Sequence, residues 1–243
     1  MSGYSRDFAE EYNVNFQVWG GAEIWPLIAE RLPDRMKSET TWLDVGCASG
    51  QFLRYLSDQG VGSITGIDNS ARLLAYAAEN TDGVTLVEAD MRTYETDQRF
   101  DVVSCIGGTL NHLESSRELV PMLERLCGWL KPGGHLLLDI NTEVGYIDNH
   151  GRMEALHHDD RVTVLEISYD EARRKGILEI TGFAKCADSE LYRRFDAEHL
   201  LLAVEPESFD AKLAEQELAF DCIDAHTFES PDEESARLLY ICS

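Results

Sequence analysis

The chain is short of positive charge: 21 Lys and Arg stand against 45 Asp and Glu in 243 residues, for a formal net charge of -24. A field of that sign repels phosphate backbones and anionic lipid, so neither nucleic acid nor a membrane surface is an expected partner. There is no run of 18 or more uncharged apolar residues, the length a bilayer-spanning helix needs, and the opening MSGYSRDFAEEYN has no apolar signal segment. The six cysteines, at 47, 105, 127, 186, 222 and 242, form no C-x-x-C pair and have no His at zinc spacing. They read as reduced thiols of a cytoplasmic protein, and no metal site is expected. Internal repeats and low-complexity linkers are also missing.

What is present is a globular composition, 44% hydrophobic, which suits one α/β domain carrying an elaboration. Tyr4, Phe8, Tyr12, Phe16 and Trp19 fall at helical spacing until Gly20 and Gly21 break the pattern. Burial in a core is the plain account of such a stripe; the sharper expectation is a helix closing over a ligand, with Tyr12 and Trp19 facing it. A second helix over 22–32 stops near Pro33. From residue 40 short apolar runs alternate with amphipathic stretches, the grammar of parallel βαβ units. Turn chemistry marks the helix ends independently: Gly60, then Thr81-Asp82-Gly83, then Lys131-Pro132-Gly133-Gly134.

After about residue 150 the pattern changes. Three β-rich runs, separated by Arg173-Arg174-Lys175-Gly176 and Asp188-Ser189-Glu190, suit antiparallel hairpins, and a helix and two closing strands follow. The organisation expected is an N-terminal helical lid over 1–35, a core over 36–158 and 204–243, and an antiparallel β cap inserted at 159–203.

The stretch WLDVGCASGQF, Trp42 to Phe52, places an acid at the end of an apolar run just before a turn. Parallel sheets bind ligands beyond the carboxyl ends of their strands. Asp44, Asp68 and Asp90 all fall at such ends, so three carboxylates share one edge. At the end of the second strand, Asp68 suits the two hydroxyls of a ribose, an assignment NAD would satisfy as well. NAD sites, however, use G-x-G-x-x-G around a pyrophosphate, whereas Gly46-Cys47-Ala48-Ser49-Gly50 follows an acid that would repel one. Asp44 favours an ammonium or sulfonium, and S-adenosylmethionine (SAM) carries both. Gly46 and Gly50 permit close backbone approach.

LDVGCASG, GIDNS, VEADM, FDVVSCIGGTLNHL and LKPGGHLLLDIN, in this order and spacing, resemble the motifs of class I SAM-dependent methyltransferases over about residues 40–140. The resemblance implies a Rossmann-like sheet with helices on both faces, plus the small antiparallel cap. It also implies roles: Asp44, Gly46, Cys47, Ala48 and Gly50 for the methionine side, Asp68 for the ribose, Asn69 and Leu73 flanking the adenosine, and Asp90 with Met91 at the adenine. Cys105, Ile106 and Gly107 would border both cofactor and acceptor. Ala48 departs from the family's more frequent glycine. Tyr192 to Phe220 resembles the segment after the meander in small-molecule enzymes related to aminosugar N,N-dimethyltransferases, where antiparallel strands cap the site.

The function this implies is methyl transfer from SAM to nitrogen or oxygen of a small-molecule acceptor by direct in-line displacement. A SAM-binding module without catalysis and a nicotinamide-dependent dehydrogenase are the rival readings, the latter opposed by the missing G-x-G-x-x-G. His199, on a cap strand, is the principal candidate to steer or deprotonate the acceptor, with His112 and Asn111 after the fourth strand as the others. His157-His158-Asp159-Asp160 reads as a solvated loop and Cys105 as packing. The sequence leaves the acceptor and the oligomeric state open, a homodimer included.

Overall fold

The computed structural model describes residues 6–15, 22–186 and 189–243. Trp19, Tyr4 and Phe16 lie outside them. Five strands follow one another through the first half: β1 (Thr41–Val45), β2 (Ser63–Asp68), β3 (Thr85–Glu88), β4 (Phe100–Cys105) and β5 (Leu130–Asn141). Then come β6 (Arg152–His158), β7 (Arg161–Asp170), β8 (Lys175–Lys185), β9 (Tyr192–Leu202), β10 (Phe220–Asp224) and β11 (Arg237–Cys242). The helices are α1 (Arg6–Val14), α2 (Trp25–Arg31), α3 (Gln51–Asp58), α4 (Ala71–Asn80), α5 (Leu119–Gly128), α6 (Glu143–Asp148) and α7 (Pro206–Glu215).

Seven strands form one sheet in the order β10-β11-β5-β4-β1-β2-β3, all parallel except β11, which runs against both β5 and β10. The order reverses between β1 and β4, so the loop after β1 opens at the switch point. Period-two alternation sorts the side chains onto two faces. Leu43, Val45, Leu136, Leu138, Leu238 and Tyr240 pack under α5 and α7. Trp42, Leu137 and Leu239 pack under α2 and α3 on the other face. Within that second cluster α2 contributes Ile24 from its leading edge and Ile28, both fully buried. The N-terminal 35 residues therefore hold two different things, and α2 packs as part of the core.

The second sheet has four antiparallel strands, β6-β7-β8-β9. The sequence reading expected three. The fourth, β6, takes in His157 and His158, whose polar run predicts a solvated loop; both are exposed and pair with Val162 and Arg161 across a tight turn. As an edge strand with most side chains in solvent, β6 carries no apolar alternation for a sequence reading to find. The Lys131–Gly134 turn also lies inside β5, where the pairing with β4 shifts register.

Two features hold α1 between the sheets. Toward the antiparallel sheet, buried Glu11 accepts from Thr163 Oγ1 at 2.6 Å and pairs with Arg161 at 3.1 Å, while Asn15 Oδ1 lies 2.8 Å from His158 Nε2. Toward the parallel sheet, Asn13 Oδ1 accepts from Gln51 Nε2 at 3.0 Å and Asn80 Nδ2 at 3.1 Å. No helix among the described residues is long and apolar enough to cross a membrane.

Candidate active site

A cavity of about 610 Å³ opens beyond the carboxyl ends of β1, β2 and β4, walled on its far side by β9 and covered by α1. Its floor is the turn after β1. Gly46 and Gly50 have φ of 78° and 81°, in the left-handed region that favours glycine. A Cβ on Gly46 would stand 2.5 Å from Thr109 Oγ1, and one on Gly50 2.8 Å from Ala77 Cβ. Ala48 also sits left-handed, at 47°, with its N–H donating to Asp68 Oδ2 at 3.0 Å. The other oxygen, Oδ1, accepts from Ser70 N–H at 2.8 Å, and Ser70 in turn caps α4 through Leu73 N–H. One carboxylate thus ties the turn to the start of a helix, with a lone pair on each oxygen still to spare.

Asp44 lies beneath this turn at 3% exposure. Ser104 Oγ donates to it at 2.6 Å and accepts from Trp42 Nε1 at 2.8 Å. Burial drives its carboxyl up to about 7; the Ser104 bond opposes this, and Asp68 and Asp139 reinforce it. Burial also raises Asp68, offset by its bonds from Ser70 and Ala48. A cation brought near these acids would relieve both. Asp139, at the end of β5, is fully buried, pairs with Arg237 of β11, and accepts from Gly108 N–H at 2.6 Å, which fixes the loop after β4.

The residues expected at the cofactor divide in two. Tyr12, Gly46, Ala48, Asp68, Asn69, Leu73, Asp90, Met91, Ile106 and Gly107 line the cavity. Asp44, Cys47, Gly50 and Cys105 do not: Cys47 turns into the core against Gly66, Gly50 packs on Ala77, and Cys105 is fully buried under the sheet. Asp90 faces the cavity with its carboxylate held by Arg92, Nη2 to Oδ2 at 2.6 Å and Nε to Oδ1 at 3.0 Å. The Arg92 bonds hold Asp90 below the ordinary carboxylate value.

Of the three residues expected to act on an acceptor, His112 and His199 both line the cavity in edge-to-face contact with each other, ring centroids 6.0 Å apart at 88°. Burial, then His199 and Lys175, hold His112 down to about 4, and burial lowers His199 too. Both imidazoles are neutral near pH 7. Asn111 corrects the expectation: it has 0% exposure, its Nδ2 donates to the carbonyls of Asn141 at 2.8 Å and Leu202 at 2.7 Å, and its Oδ1 accepts from Asn141 N–H at 2.9 Å. Those bonds join the ends of β5 and β9 to the loop after β4 and leave the amide no donor for a substrate. Phe8, Arg92 and Thr109 line the cavity without having been singled out for it. Phe8 belongs to the aromatic stripe, which was the available signal; nothing at the spacing of Thr109 or Arg92 pointed to them. No cluster of three or more His, Cys, Asp or Glu among the described residues is arranged to hold a metal ion.

Residues 43–134 match the family model described as a methyltransferase domain. A curated relative from Streptomyces fradiae, a dTDP-3-amino-3,6-dideoxy-alpha-D-glucopyranose N,N-dimethyltransferase, is 30% identical over 142 residues, 56% of this chain and 54% of that one. The chain spans about half the length of the first curated relatives it matches. A S-adenosylmethionine-dependent methyltransferase from Clostridium acetobutylicum shares the fold with a TM-score of 0.80, at 20% identity over 98% of this chain and 97% of that chain. The SAM-bound amino pentose methyltransferase of calicheamicin biosynthesis from Micromonospora echinaspora gives a TM-score of 0.74, at 21% identity over 100% of this chain and 98% of that chain. The fold is that of the class I methyltransferases, and the resemblance read from the five motifs is borne out.

Proposed function

We propose that this chain is a SAM-dependent methyltransferase acting on an amino nitrogen of a small molecule. The observation that carries the reading is the left-handed turn of residues 46–50 tied to Asp68 at the switch point, opening into a cavity bounded by a second sheet. In this reading the parallel-sheet unit, residues 22–151 and 203–243, holds the cofactor, the antiparallel sheet β6–β9 bounds the acceptor, and α1 covers both; the insertion thus begins with Arg152 of β6, seven residues before the 159 expected from sequence. The residues fit the cofactor: Gly46 and Ala48 line the cavity on a left-handed turn, and the two acids raised by burial favour a positively charged ligand.

When bound, SAM supplies an electrophilic methyl group on a sulfonium that is already a good leaving group. The Asp68 carboxylate accepts from the ribose hydroxyls with the lone pairs its backbone bonds leave over. Leu73, Met91 and Ile106 give the adenine apolar walls, and Asp44 balances positive charge from below. Phe8, Tyr12, His112 and His199 exclude water on the acceptor side. What remains to the protein is alignment, worth up to about 7–11 kcal/mol. Nitrogen is favoured over oxygen because a hydroxyl acceptor needs a base near its own transfer. His112, held down to about 4, is a weak one, whereas a neutral amine brings its own lone pair. The names of the relatives, N,N-dimethyltransferases of aminosugars, agree with nitrogen.

Calorimetric titration of S-adenosylhomocysteine tests the reading. The wild-type chain should bind, and Asp68→Ala should bind about tenfold more weakly or worse, from two charge-assisted hydrogen bonds of about 1.5–3 kcal/mol each before water compensates. Equal affinity in a folded variant would remove the ribose assignment.

A further inference from the structure

The acceptor side of the cavity is a box of rings. Phe8 and Tyr12 of α1 have centroids 6.1 Å apart, Phe8 lies 4.6 Å from His199, and His199 lies 6.0 Å from His112 and perpendicular to it. All four line the cavity, Phe8 and Tyr12 from above, His199 from β9 and His112 from the loop after β4. Neutral rings present π faces that attract a cation, and most strongly one that has already shed its water, as a methylated ammonium has. Protonated histidines would repel that cation, but burial keeps both imidazoles neutral near pH 7.

Charge makes the same selection independently. The carboxylates lining the cavity are Asp68, Asp90, Asp196 and Glu198; among the described lining side chains Arg92 is the one guanidinium, and Asp90 at 2.6 Å and Glu114 at 3.5 Å already hold it. The cations nearby are likewise engaged: Arg194 with Asp196 at 2.7 Å, Lys175 with the Leu113 carbonyl at 3.0 Å, Arg237 with Asp139. A diphosphate brought into this chamber would meet fixed negative charge with no guanidinium to spare, in a chain whose long-range field is already negative.

Resting on the reading of this cavity as a methyltransferase site, we propose that the ring box of Phe8, Tyr12, His112 and His199, with Glu198 at its rim, selects a small amine that enters as its free base and leaves as the methylated ammonium whose charge the rings hold, and that it rejects phosphorylated or nucleotide-linked acceptors. The amine takes the methyl on its own lone pair while the bonding electrons return to the sulfonium sulfur. The acceptor class is then a free small amine, with secondary and tertiary amines preferred over primary ones because each added methyl improves the fit to the rings.

Tetramethylammonium and thymidine diphosphate, titrated separately by calorimetry with and without S-adenosylhomocysteine, provide the test. Tetramethylammonium should bind the wild-type chain. Phe8→Leu should weaken it about 2- to 30-fold, the range spanned by exposed and desolvated cation–π contacts. Glu198→Gln, at an exposed position where folding is not at risk, should weaken it severalfold at low salt and less at high salt. Thymidine diphosphate should bind at least tenfold more weakly than tetramethylammonium. Thymidine diphosphate binding as tightly as the ammonium would overturn the proposal, as would ammonium affinity that neither variant changes. Should Phe8→Leu fail to fold, Glu198→Gln decides alone. If tetramethylammonium behaves as expected while S-adenosylhomocysteine does not bind, the cofactor reading falls and the ring box stands; the reverse pattern removes the ring box only.

Discussion

The two walls of the cavity are built on opposite principles. On the parallel-sheet side, polar groups are buried and already held: Asp68 by the backbone of Ala48 and Ser70, Asp139 by the Gly108 N–H and the Arg237 guanidinium, Asn111 by the backbone of Asn141 and Leu202. On the antiparallel side, β9 is an edge strand whose inward row, Phe195, Ala197 and His199, is apolar or neutral, and whose acids Asp196 and Glu198 stand in solvent. A wall whose polar groups double as structural ties holds a fixed ligand in a fixed pose and tolerates little change. A wall of neutral rings with a loose acidic rim can be altered without unfolding the chain; in the proposed methyltransferase reading, acceptor specificity could drift on that wall while the parallel-sheet side stays put.

The comparison breaks most visibly if the buried ties are not structural. Arg237→Met leaves Asp139 buried and unpaired beside Gly108 N–H, and removing one partner of such a pair costs about 3–5 kcal/mol. Urea unfolding should show a loss of that size. Glu198→Gln on the opposite wall should stay within about 0.5 kcal/mol of wild type, as surface substitutions do. Equal effects from the two would erase the distinction.

Gly46→Ala probes the turn itself. The new Cβ meets Thr109 Oγ1 at 2.5 Å and Cγ2 at 2.6 Å, at a φ of 78°, which adds a steric contact to about 1–2 kcal/mol of left-handed strain. S-adenosylhomocysteine affinity should fall tenfold or more. Adding Thr109→Ala should recover part of the loss, because it clears the contact and leaves the strain.

Asp44 gives the parallel-sheet wall a pH signature. Its folded carboxyl is raised from 3.8 to about 7, so across that window the folded chain keeps a proton that the unfolded chain has released. The contribution of Asp44 to the stability of the ligand-free chain falls as pH rises from about 4 to about 7 and levels off above, with a slope of at most about 1.4 kcal/mol per pH unit for one proton, while His112 and His199, held down by burial, contribute the opposite slope over the lower part of that window. The difference between wild type and Asp44→Asn isolates the Asp44 contribution: the stability of wild type relative to the variant should fall as pH rises, and chemical denaturation from pH 5 to pH 8 would measure it. A bound cation reverses the preference, so S-adenosylmethionine binding near pH 6 should release protons, seen as a dependence of the calorimetric heat on buffer ionisation enthalpy.

The same contrast explains what the sequence could tell. Asp44, Gly46, Asp68 and Asp90 were legible because strand ends, a turn and a repeat length dictate where they stand, and a residue type is demanded by backbone geometry before any ligand is considered. Cys47, Cys105, Gly50 and Asn111 share those motifs yet serve the fold, since a motif does not say which side of the loop a side chain takes. Thr109 and Arg92 escaped because their contacts are tertiary: Thr109 closes over Gly46 from a different loop, and Arg92 reaches back two residues to Asp90. On the other wall, β6 escaped because an exposed edge strand needs no apolar alternation, and α2 read as part of a lid although Ile24 and Ile28 bury themselves against Trp42 and Phe52.

The smallest expected effect lies at Ala48, the departure from the glycine more frequent in this turn. At φ 47° an alanine is in the left-handed region, which costs it about 1–2 kcal/mol, whereas glycine adopts it freely. Glycine also loses more chain entropy on folding, about 0.5–1 kcal/mol relative to alanine. The strain outweighs the entropy by a narrow margin, so Ala48→Gly should raise stability by about 0.5 kcal/mol in urea unfolding. Its effect on the ligand has a separate sign. The N–H that binds Asp68 is retained, but the methyl that lines the cavity is lost, so S-adenosylhomocysteine affinity should stay level or drop slightly while stability rises. A drop in stability would mean that the Ala48 methyl contributes more packing than its strained backbone costs, and that the parallel-sheet wall gains from the substitution which departs from the family's pattern.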